Sequence, residues 1–253
     1  MYAEERQQAI AGLISQRGRV SVADLAGTYD VTTETVRRDL AALDRLGLIR
    51  RVHGGAVSAS AITLGEKELG EREHSNAPAK DRIAAAALKY LPSTGGSIVL
   101  DAGTTTSRIA AQLPSDRDLT VVTNSIPVAT RCTGRHTLQI LGGRVRGVTQ
   151  AVVGDQAVAT LTSLRVDVAF VGANGLTAEH GLSTPDFDEA AVKSALVRCA
   201  NLVVVVVDSS KFGREDLVRF AAVDEIDVLV TDVDLDPLAR AAFEDHGVEV
   251  VLA

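Results

Sequence analysis

The sequence predicts an α/β protein made of an N-terminal winged helix-turn-helix unit and a C-terminal domain built on a mostly parallel sheet. First, a capped basic helix ends near Gly47 and is followed by a short basic strand and turn. Second, apolar runs of strand length alternate with helical segments from residue 77 onwards. Third, 46% of the residues are hydrophobic but only 3% are aromatic, so the core is aliphatic, as is typical of parallel sheets covered by helices. We expect the winged unit over residues 1–57, a linker over 58–76 and the α/β domain over 77–253.

Three helices, with a tight turn before the third, are expected in the first part of the chain. The first carries apolar residues at helical spacing, and the second, from Val22 to Tyr29, follows the capping hydroxyl of Ser21. Residues 30–31 then form the turn, and the third helix begins after the capping residue Thr32. Its apolar stripe, at i, i+4 and i+7, consists of Val36, Leu40 and Leu43. This order is that of a helix-turn-helix.

The face of the third helix away from the stripe is basic. Residues 33–53 hold five arginines against three acidic residues, although the whole chain has a net charge of −7. A locally basic unit on an acidic protein keeps the attraction to DNA phosphates local. The alternative is that the arginines only solvate a helix face, with Glu34 and Arg38 as an i,i+4 pair. Because cap, stripe, glycine stop and wing are in register, we favour DNA binding. The candidate DNA-binding residues are Thr32, Thr33, Thr35, Arg37, Arg38, Arg51 and His53.

The second part of the chain alternates strands and helices, after a linker in which Glu66 to Arg72 can form a turn of helix. The predicted strands cover residues 97–101, 119–123, 137–141, 166–172, 202–208, 228–231 and 249–252. The predicted helices cover residues 80–91, 105–113, 126–132, 156–164, 189–199 and 237–246. This alternation indicates a mostly parallel sheet covered on both faces.

Small polar residues follow three successive strands. The first strand ends at Asp101 and leads through Gly103 and three threonines into a helix, which offers backbone amides and hydroxyls to an anion the size of a phosphate. Asn124-Ser125 and Gly142-Gly143 follow the next two strands, at the edge where open parallel sheets bind ligands. Each signal has a local alternative: helix caps for the threonines and for Asn124-Ser125, and a plain turn for the glycines. Neither a Walker motif nor GxGxxG is present, which disfavours nucleotide hydrolysis and dinucleotide binding.

Two lysines and two cysteines need separate interpretations. A helix lysine such as Lys193 normally faces solvent, whereas Lys211, in a loop after a strand, serves either a phosphate or only the surface. Cys132 and Cys199 fit no CxxC or Cys/His metal spacing, so we expect buried thiols and no metal site. The chain shows no signal peptide and no apolar run of 18 residues, and we therefore expect a cytoplasmic protein.

Several of these motifs resemble the DeoR-type transcriptional regulators of bacteria. The helix-turn-helix part of the resemblance is TxxTVRRDL, from Thr32 to Leu40, with HGGA in the wing. A threonine replaces the more usual serine at the cap, but the capping hydroxyl is kept. LDAGTTT, TVVTNS, LGG, FVGANG, EAAVK and DSSKFG then follow in the order of the DeoR C-terminal sensor domain, which is related to sugar-phosphate isomerases of the ribose-5-phosphate isomerase type.

This resemblance implies a DNA-binding regulator, in the first place a repressor of a sugar-utilisation operon that a phosphorylated sugar releases from its operator. The opening MYAEERQQAI is similar to the actinobacterial branch that controls fructose uptake, so fructose 1-phosphate and fructose 1,6-bisphosphate are the first effector candidates. No cofactor is implied, and half-sites on DNA imply a homo-oligomer, either a dimer or a tetramer. The implied effector-binding residues are Asp101, Gly103, Thr104, Thr105, Thr106, Asn124, Ser125, Gly142, Gly143, Lys193 and Lys211.

Two other functions compete with a ligand-controlled regulator. A sugar-phosphate isomerase with a helical extension needs a general base, usually a carboxylate. The strand end from Val171 to Gly175 offers none, which leaves Asp101, Asp188 and Glu189 as candidates. An architectural DNA-binding protein without a ligand has little use for an α/β domain with anion-binding loops. We therefore expect a regulator and not an enzyme.

Overall fold

The computed structural model describes residues 3–17, 19–45, 49–52, 55–58 and 68–253. The chain forms two compact units, Met1–Glu66 and Lys67–Ala253. Among the described residues, each unit has its own apolar core, with one cluster in the first and two in the second.

In its described residues, the first unit combines three helices with a small antiparallel sheet. Its helices are α1 (Ala3–Arg17), α2 (Val22–Tyr29) and α3 (Thr33–Arg45), and its strands are β1 (Arg19–Ser21), β2 (Ile49–Val52) and β3 (Gly55–Ser58). The strand order is β1-β3-β2, with both pairs antiparallel. The structure thus has the predicted three helices and a wing hairpin. It adds β1, which the sequence does not predict because three residues carry almost no periodicity.

The apolar stripe of α3 faces the core of the first unit. Val36 and Leu40 are at most 1% exposed. Asp39 lies on the same face, and Arg6 Nε donates a hydrogen bond to its carboxylate at 2.6 Å. A buried ion pair therefore ties α1 to α3 inside an apolar layer, and removing either partner would leave the other charge buried and unpaired.

The second unit alternates strands and helices along the chain. Its strands are β4 (Ser97–Leu100), β5 (Thr120–Thr123), β6 (Thr137–Ile140), β7 (Arg144–Arg146), β8 (Ala151–Val153), β9 (Val166–Val171), β10 (Gly175–Thr177), β11 (Gly181–Thr184), β12 (Ala200–Val206), β13 (Val218–Ala221), β14 (Val228–Thr231) and β15 (Glu249–Leu252). Its helices are α4 (Leu69–His74), α5 (Ala77–Ala87), α6 (Thr104–Gln112), α7 (Ile126–Cys132), α8 (Asp155–Thr162), α9 (Phe187–Arg198) and α10 (Pro237–Glu244). Short 3-10 turns cover Leu88–Tyr90, Ser209–Lys211 and Val223–Glu225.

Seven strands form one sheet in the order β15-β14-β12-β9-β4-β5-β6, and every neighbouring pair is parallel. These are the seven predicted strands. Successive residues of a strand point to opposite faces of the sheet and pack into different apolar clusters. Val99 and Val205 belong to one cluster, and Ile98 and Val204 belong to the other. Because all seven strands run in the same direction, the loops after them meet at one edge of the sheet.

Five short strands add to the predicted architecture. Strands β7 and β8 form a hairpin, and β10, β11 and β13 form a separate antiparallel sheet. Each has only three or four residues. They lie outside the alternation of strands and helices from which the seven-stranded sheet is predicted.

Helix α4 lies inside the stretch that the sequence predicts as a linker, and it overlaps the turn of helix expected there. None of its side chains is buried, so the segment carries no apolar periodicity. Helix α5 begins at Ala77, three residues before the predicted start, with a proline in its first turn.

The two cysteines are core residues. Cys132 and Cys199 are buried, and burial raises the pKa of the Cys199 thiol to about 11. Within the described ranges, no helix has the length and apolar character needed to cross a bilayer. The same ranges contain no group of three or more His, Cys, Asp or Glu side chains placed to bind a metal ion.

Candidate DNA-binding and effector-binding sites

Thr32 fixes the first turn of α3. Its Oγ1 accepts a hydrogen bond from the backbone N–H of Thr35 at 3.2 Å and lies 2.9 Å from the Thr35 hydroxyl. Asp30, in the preceding turn, has a left-handed backbone with φ of 50°. Thr32 and Thr33 are exposed and Thr35 is half-buried. The cap therefore forms as predicted, and the N-terminus of the helix remains open to a ligand on its outer side.

Arg37 and Arg38 extend from the exposed side of α3. Their side chains are 57% and 80% exposed, and they lie 3.8 and 3.6 Å from the carboxylate of Glu34. The i,i+4 pair of the alternative interpretation is therefore present. Exposed pairs of this kind contribute only about 0–1 kcal/mol and are screened by salt. Both guanidinium groups remain accessible to a phosphate or a base edge.

The wing is only partly described. Arg51 lies on β2 opposite Ala56, but its side chain and all of His53 lie outside the described residues. Gly55 explains one glycine of the HGGA motif, since a Cβ atom there would lie 2.2 Å from the carbonyl oxygen of Val20. That glycine is needed where β3 approaches β1, whether or not DNA is bound.

Helix α6 begins directly after β4 and presents an uncapped N-terminus. Gly103 is its N-cap residue, and no side chain within the described ranges caps it. The first backbone amides and the positive end of the helix dipole are therefore available to an anion. Thr104 and Thr105 beside them are 5% and 7% exposed. Thr106 has a structural role, because its hydroxyl donates to the carbonyl of Asp101 at 2.6 Å.

Asp101 and Lys193 form a buried ion pair at the end of β4. The ammonium group of Lys193 contacts Asp101 Oδ2 and also donates to the carbonyl oxygen of Gly172 at 2.9 Å. The backbone N–H of Gly172 donates to the same Oδ2 at 3.1 Å. Both charged side chains are at most 5% exposed, so the solvated interpretation of Lys193 is wrong. Its position follows from the inner face of α9, on which Leu196 and Val197 are also buried.

The loop after β5 lies beside this pair in the sheet. Ser125 caps α7, since its Oγ accepts a hydrogen bond from the N–H of Val128 at 3.3 Å. Asn124 is 2% exposed, and its Nδ2 reaches the carbonyl oxygen of Val152 at 3.5 Å. Asn124 Oδ1 and Asp101 Oδ1 are both buried and have no hydrogen-bond partner among the described residues. Two acceptors thus lie unsatisfied at neighbouring strand ends.

Gly142 and Gly143 differ in how strongly internal contacts require a glycine. A Cβ atom on Gly142 would lie 2.8 Å from Nε2 of Gln156. Gly143 has φ of 147°, and a Cβ atom there would lie 2.5 Å from the carbonyl oxygen of Val153. Gly143 therefore allows the chain to turn tightly into β7, as the plain-turn alternative says, whereas a side chain at position 142 would meet only the flexible end of Gln156. A contact of either glycine with a ligand stays a prediction.

The β7-β8 hairpin is joined to α9 by a polar network that the sequence does not predict. Arg146 lies 3.1 Å from Asp186 Oδ2 and 3.1 Å from Glu189 Oε1. Thr149 donates a short hydrogen bond to the same Glu189 oxygen. Glu189 is 4% exposed and shares the inner face of α9 with Lys193, which is the signal that indicates its burial.

A second polar cluster follows β12, two strands away from β4. Asp208 is 2% exposed, and it accepts hydrogen bonds from Ser210 and, at 2.8 Å, from Asn76. Burial opposes ionisation of Asp208, but these hydrogen bonds hold its pKa below the ordinary value. Burial lowers the pKa of Lys211. Lys80, on α5, is a further buried lysine that the sequence does not single out.

The carboxylates proposed as an isomerase base are all engaged by cations. Asp101 is paired with Lys193, Asp188 with Arg144, and Glu189 with Arg146. Each of these carboxylates thus already has a cationic partner in the described structure.

Comparison with known families accounts for both units. Residues 6–61 match the model of the DeoR-like helix-turn-helix domain, and residues 75–233 match that of the DeoR C-terminal sensor domain. Ribose 5-phosphate isomerase A of Methanocaldococcus jannaschii aligns over 55% of each chain, at 21% identity and a TM-score of 0.41.

Relatives match over nearly the full length. The HTH-type transcriptional regulator GlpR of Haloferax volcanii is 38% identical over 99% of this chain and 98% of its own. The uncharacterized HTH-type transcriptional regulator FruR of Bacillus subtilis is 34% identical over 92% and 93%. The glycerol-3-phosphate regulon repressor of Escherichia coli is 29% identical over 98% of both. The chain therefore belongs to the DeoR family of transcriptional regulators, and not to a family of enzymes.

Proposed function

We propose that this regulator is a repressor of a sugar-utilisation operon and that a phosphorylated sugar, bound at the end of β4, releases it from its operator. One observation supports a ligand at this place. The uncapped N-terminus of α6 follows Asp101, whose buried Oδ1 has no hydrogen-bond partner in the described ranges. The names of relatives support the role as a repressor, since one relative is named a glycerol-3-phosphate regulon repressor.

The phosphate is expected at the first turn of α6. The backbone amides after Gly103 point out of the helix end, and the dipole favours negative charge there. Thr104 and Thr105 are nearly buried beside these amides, so their hydroxyls can add hydrogen bonds in a site with little water. The structural bonds of Thr106 hold the loop in this shape.

The sugar hydroxyls are expected at the two unsatisfied acceptors. Asp101 Oδ1 and Asn124 Oδ1 are buried, and a buried acceptor without a partner costs about 1–3 kcal/mol. A ligand hydroxyl that donates to each atom removes that cost. Lys193 fixes the orientation of Asp101 through the opposite carboxylate oxygen. A ligand with a phosphate next to several hydroxyls would satisfy both the N-terminus of α6 and the two buried acceptors.

Fructose 1-phosphate and fructose 1,6-bisphosphate are the first candidates, and the likeness to FruR supports them. The test is a thermal-shift panel that includes both compounds, glucose 6-phosphate, glycerol 3-phosphate and unphosphorylated fructose. A ligand present at a hundred times its Kd stabilises the folded protein by about 2.7 kcal/mol. No shift with any sugar phosphate would contradict the proposal.

Thr105→Ala tests the site itself. The variant should weaken binding of the best ligand of the panel by tenfold or more and should respond less to that ligand on operator DNA. Thr130→Ala is a matched control, because Thr130 is an exposed helix threonine whose hydroxyl bonds to its own helix. Equal ligand affinity for both variants would mean that the α6 threonines serve only the helix.

We propose that the protein is a homodimer or homotetramer, because release from the operator involves at least two DNA-binding units. A single helix-turn-helix covers few base pairs, and paired half-sites on DNA require a fixed spacing between the two DNA-binding units. A hundredfold loss of DNA affinity needs a difference of about 2.7 kcal/mol in effector binding between the free and DNA-bound forms. Sedimentation of the full chain with and without operator DNA tests this, and a monomer under both conditions would contradict it.

A further inference from the structure

Glu34 is an exposed acidic residue in the first turn of α3, on the side of the helix that carries the candidate DNA-binding residues. Its side chain is 62% exposed, and it lies beside Arg37 and Arg38, which are also exposed. The other acidic residue of the first two turns, Asp39, is buried in the core of the unit. The outer surface of these two turns therefore presents a carboxylate among threonines and arginines.

This carboxylate opposes the attraction between α3 and DNA. Double-stranded DNA carries one negative charge for about every 1.7 Å of its axis, so an acidic side chain on a DNA-binding surface is repelled by the phosphates. A surface that bound phosphates alone would gain nothing from Glu34. An acidic residue in the first turn also interacts favourably with the helix dipole, and this is the alternative role for Glu34.

The contacts with the two arginines leave the carboxylate able to accept other hydrogen bonds. Glu34 Oε2 lies 3.8 Å from Nη1 of Arg37, and Oε1 lies 3.6 Å from Nε of Arg38. Both distances exceed the usual hydrogen-bond length of about 2.7–3.2 Å. An ionised carboxylate only accepts hydrogen bonds, and its two oxygens offer about four lone-pair sites. A donor that approaches α3 from outside can therefore bind Glu34 without displacing a direct hydrogen bond to either arginine.

Cytosine is the base whose major-groove edge suits a carboxylate best. Cytosine presents its N4 amino group as a donor, whereas adenine presents its N6 amino group next to the acceptor N7, which repels a carboxylate. Guanine presents two acceptors, O6 and N7, which suit a guanidinium group. Glu34 and the neighbouring arginines are therefore complementary to cytosine and guanine, respectively.

The spacing of these side chains along α3 matches neighbouring base pairs. Residues three or four positions apart on a helix are separated by about 4.5–6 Å along its axis, since each residue rises about 1.5 Å. Successive bases of one DNA strand are about 3.4 Å apart. The first residues of the second helix of a helix-turn-helix are the ones that contact base edges. A carboxylate at position 34 and a guanidinium group one turn later can therefore reach base pairs one or two steps apart.

We propose that Glu34 is a base-reading residue that accepts a hydrogen bond from N4 of a cytosine in each operator half-site. The guanidinium groups of Arg37 and Arg38 then contact a guanine one or two base pairs away and the adjacent phosphates. The repulsion between Glu34 and the phosphates is offset only where this cytosine is present, so Glu34 contributes to specificity and not to general affinity. This inference rests on the DNA-binding part of the proposed function and does not involve the effector.

The first test selects binding sites from a randomised duplex library with the full chain, without any sugar phosphate. The wild type should enrich a cytosine at one position of each half-site. Glu34→Gln should change that preference to adenine, because a glutamine amide binds N6 and N7 of adenine. Glu34→Ala should lose about tenfold discrimination at the same position and keep the preferences at the others. Unchanged base preferences in both variants would overturn the inference.

The second test compares the selected site with unselected DNA in gel shifts. Glu34→Gln should bind the wild-type site about tenfold more weakly but random duplexes more tightly, because a negative charge near the phosphates is removed. Glu244→Gln is the matched control, since Glu244 is an exposed carboxylate in an i,i+4 pair with Arg240 on α10, and it should change neither affinity. Loss of affinity for both kinds of DNA in Glu34→Gln would overturn the inference.

The helix-dipole alternative makes a different prediction. If Glu34 only stabilises α3, the melting temperature of the first unit should fall in Glu34→Gln and Glu34→Ala, while the selected sequences stay those of the wild type. Melting curves and selections on the same preparations separate the two roles. A lowered melting temperature with unchanged base preferences would overturn the inference, whereas a changed preference at one position supports it.

The outcomes separate this inference from the proposed function. If the wild type enriches no sequence, the DNA-binding part of the proposed function fails and this inference fails with it. If the wild type enriches a site that the Glu34 variants enrich equally, DNA binding stands and Glu34 has no part in reading the bases. The thermal-shift panel of sugar phosphates tests the effector separately.

Discussion

The two units place their functional charges in opposite environments. On α3 of the first unit, Arg37 and Arg38 are more than half exposed and pair weakly with Glu34. At the carboxyl ends of the strands in the second unit, Asp101 and Lys193 are almost fully buried and in direct contact. Exposed cations lose little solvation when they meet DNA phosphates, and their attraction reaches across several ångströms of solvent. Buried charges are fixed in one geometry and suit a small ligand.

This contrast predicts different consequences of mutation. Arg37 and Arg38 on α3 should matter for binding and hardly for folding, because exposed ion pairs are worth little. A charge at the sheet edge should matter for both, because a buried ion without its partner is strongly destabilising.

The largest effect is expected for Lys193→Met. Removing the ammonium group leaves Asp101 buried without a counter-charge, so the free energy of unfolding of the second unit should fall by about 3–5 kcal/mol. The double variant with Asp101→Asn should recover most of this loss. Urea unfolding of the ligand-free protein measures both. A loss below 1 kcal/mol in the single variant would show that the pair is not buried as described. For this reason, Lys193→Ala alone cannot report on effector binding.

An intermediate effect is expected for Arg37→Ala and Arg38→Ala on α3. Each should reduce the affinity for operator DNA by about 1–3 kcal/mol if it reads a base, with a change in sequence preference at one position. A phosphate contact should instead weaken all sequences and flatten the salt dependence. Gel shifts at several salt concentrations distinguish the two. Arg240→Ala, an exposed i,i+4 pair member on α10, is the control. Unchanged affinity of the double variant would contradict a DNA-reading role for α3.

A smaller effect is expected for Thr32→Ala. Its hydroxyl caps α3 through the backbone N–H of Thr35, and loss of such a cap costs about 1 kcal/mol. Thermal unfolding of the first unit without DNA measures the change. Thr32→Ser should be neutral, because serine keeps the hydroxyl, and a similar loss in both variants would argue against the cap.

The last prediction concerns a pH dependence. The pKa of Lys80 is about 8 in the folded protein, compared with the ordinary lysine value of 10.5 that we expect in the unfolded chain. Below pH 8 both states hold the proton, and the folded state bears the full cost of the buried charge. As pH rises from 8 to 10.5, the folded state releases the proton first, so the wild type should gain stability relative to Lys80→Met. Urea unfolding of both proteins at pH 7, 8, 9 and 10 checks this, and a constant difference would contradict it.

Much of the fold follows from local signals. Thr32, the stripe from Val36 and the turn at Asp30 are all encoded within a few residues, and the structure has each of them. The strands of the seven-stranded sheet follow because apolar runs that alternate with helices need no partner to be recognised. Strand β13 pairs with the distant strand β11 and carries no such signal.

The buried charges of the site could be predicted only in part. Lys80 shares its helix face with Ile83, Ala84 and Ala87, at i, i+3, i+4 and i+7, so its place on an apolar stripe indicates burial. Asp39 lies between Val36 and Leu40 in the same way. The sequence does not tell which charge each one meets, because Arg6 and Asp208 are brought there by tertiary folding.

Helix α4 bears on the design of chimaeras between members of the family. Because it has no buried side chain and is attached through Lys80, Arg108 and Val148, its fit depends on residues of its own sensor unit. A fusion junction placed before Leu69 keeps these contacts together, whereas one placed after His74 would combine a foreign α4 with unmatched cations. A transplanted sensor should therefore carry α4 with it to remain responsive.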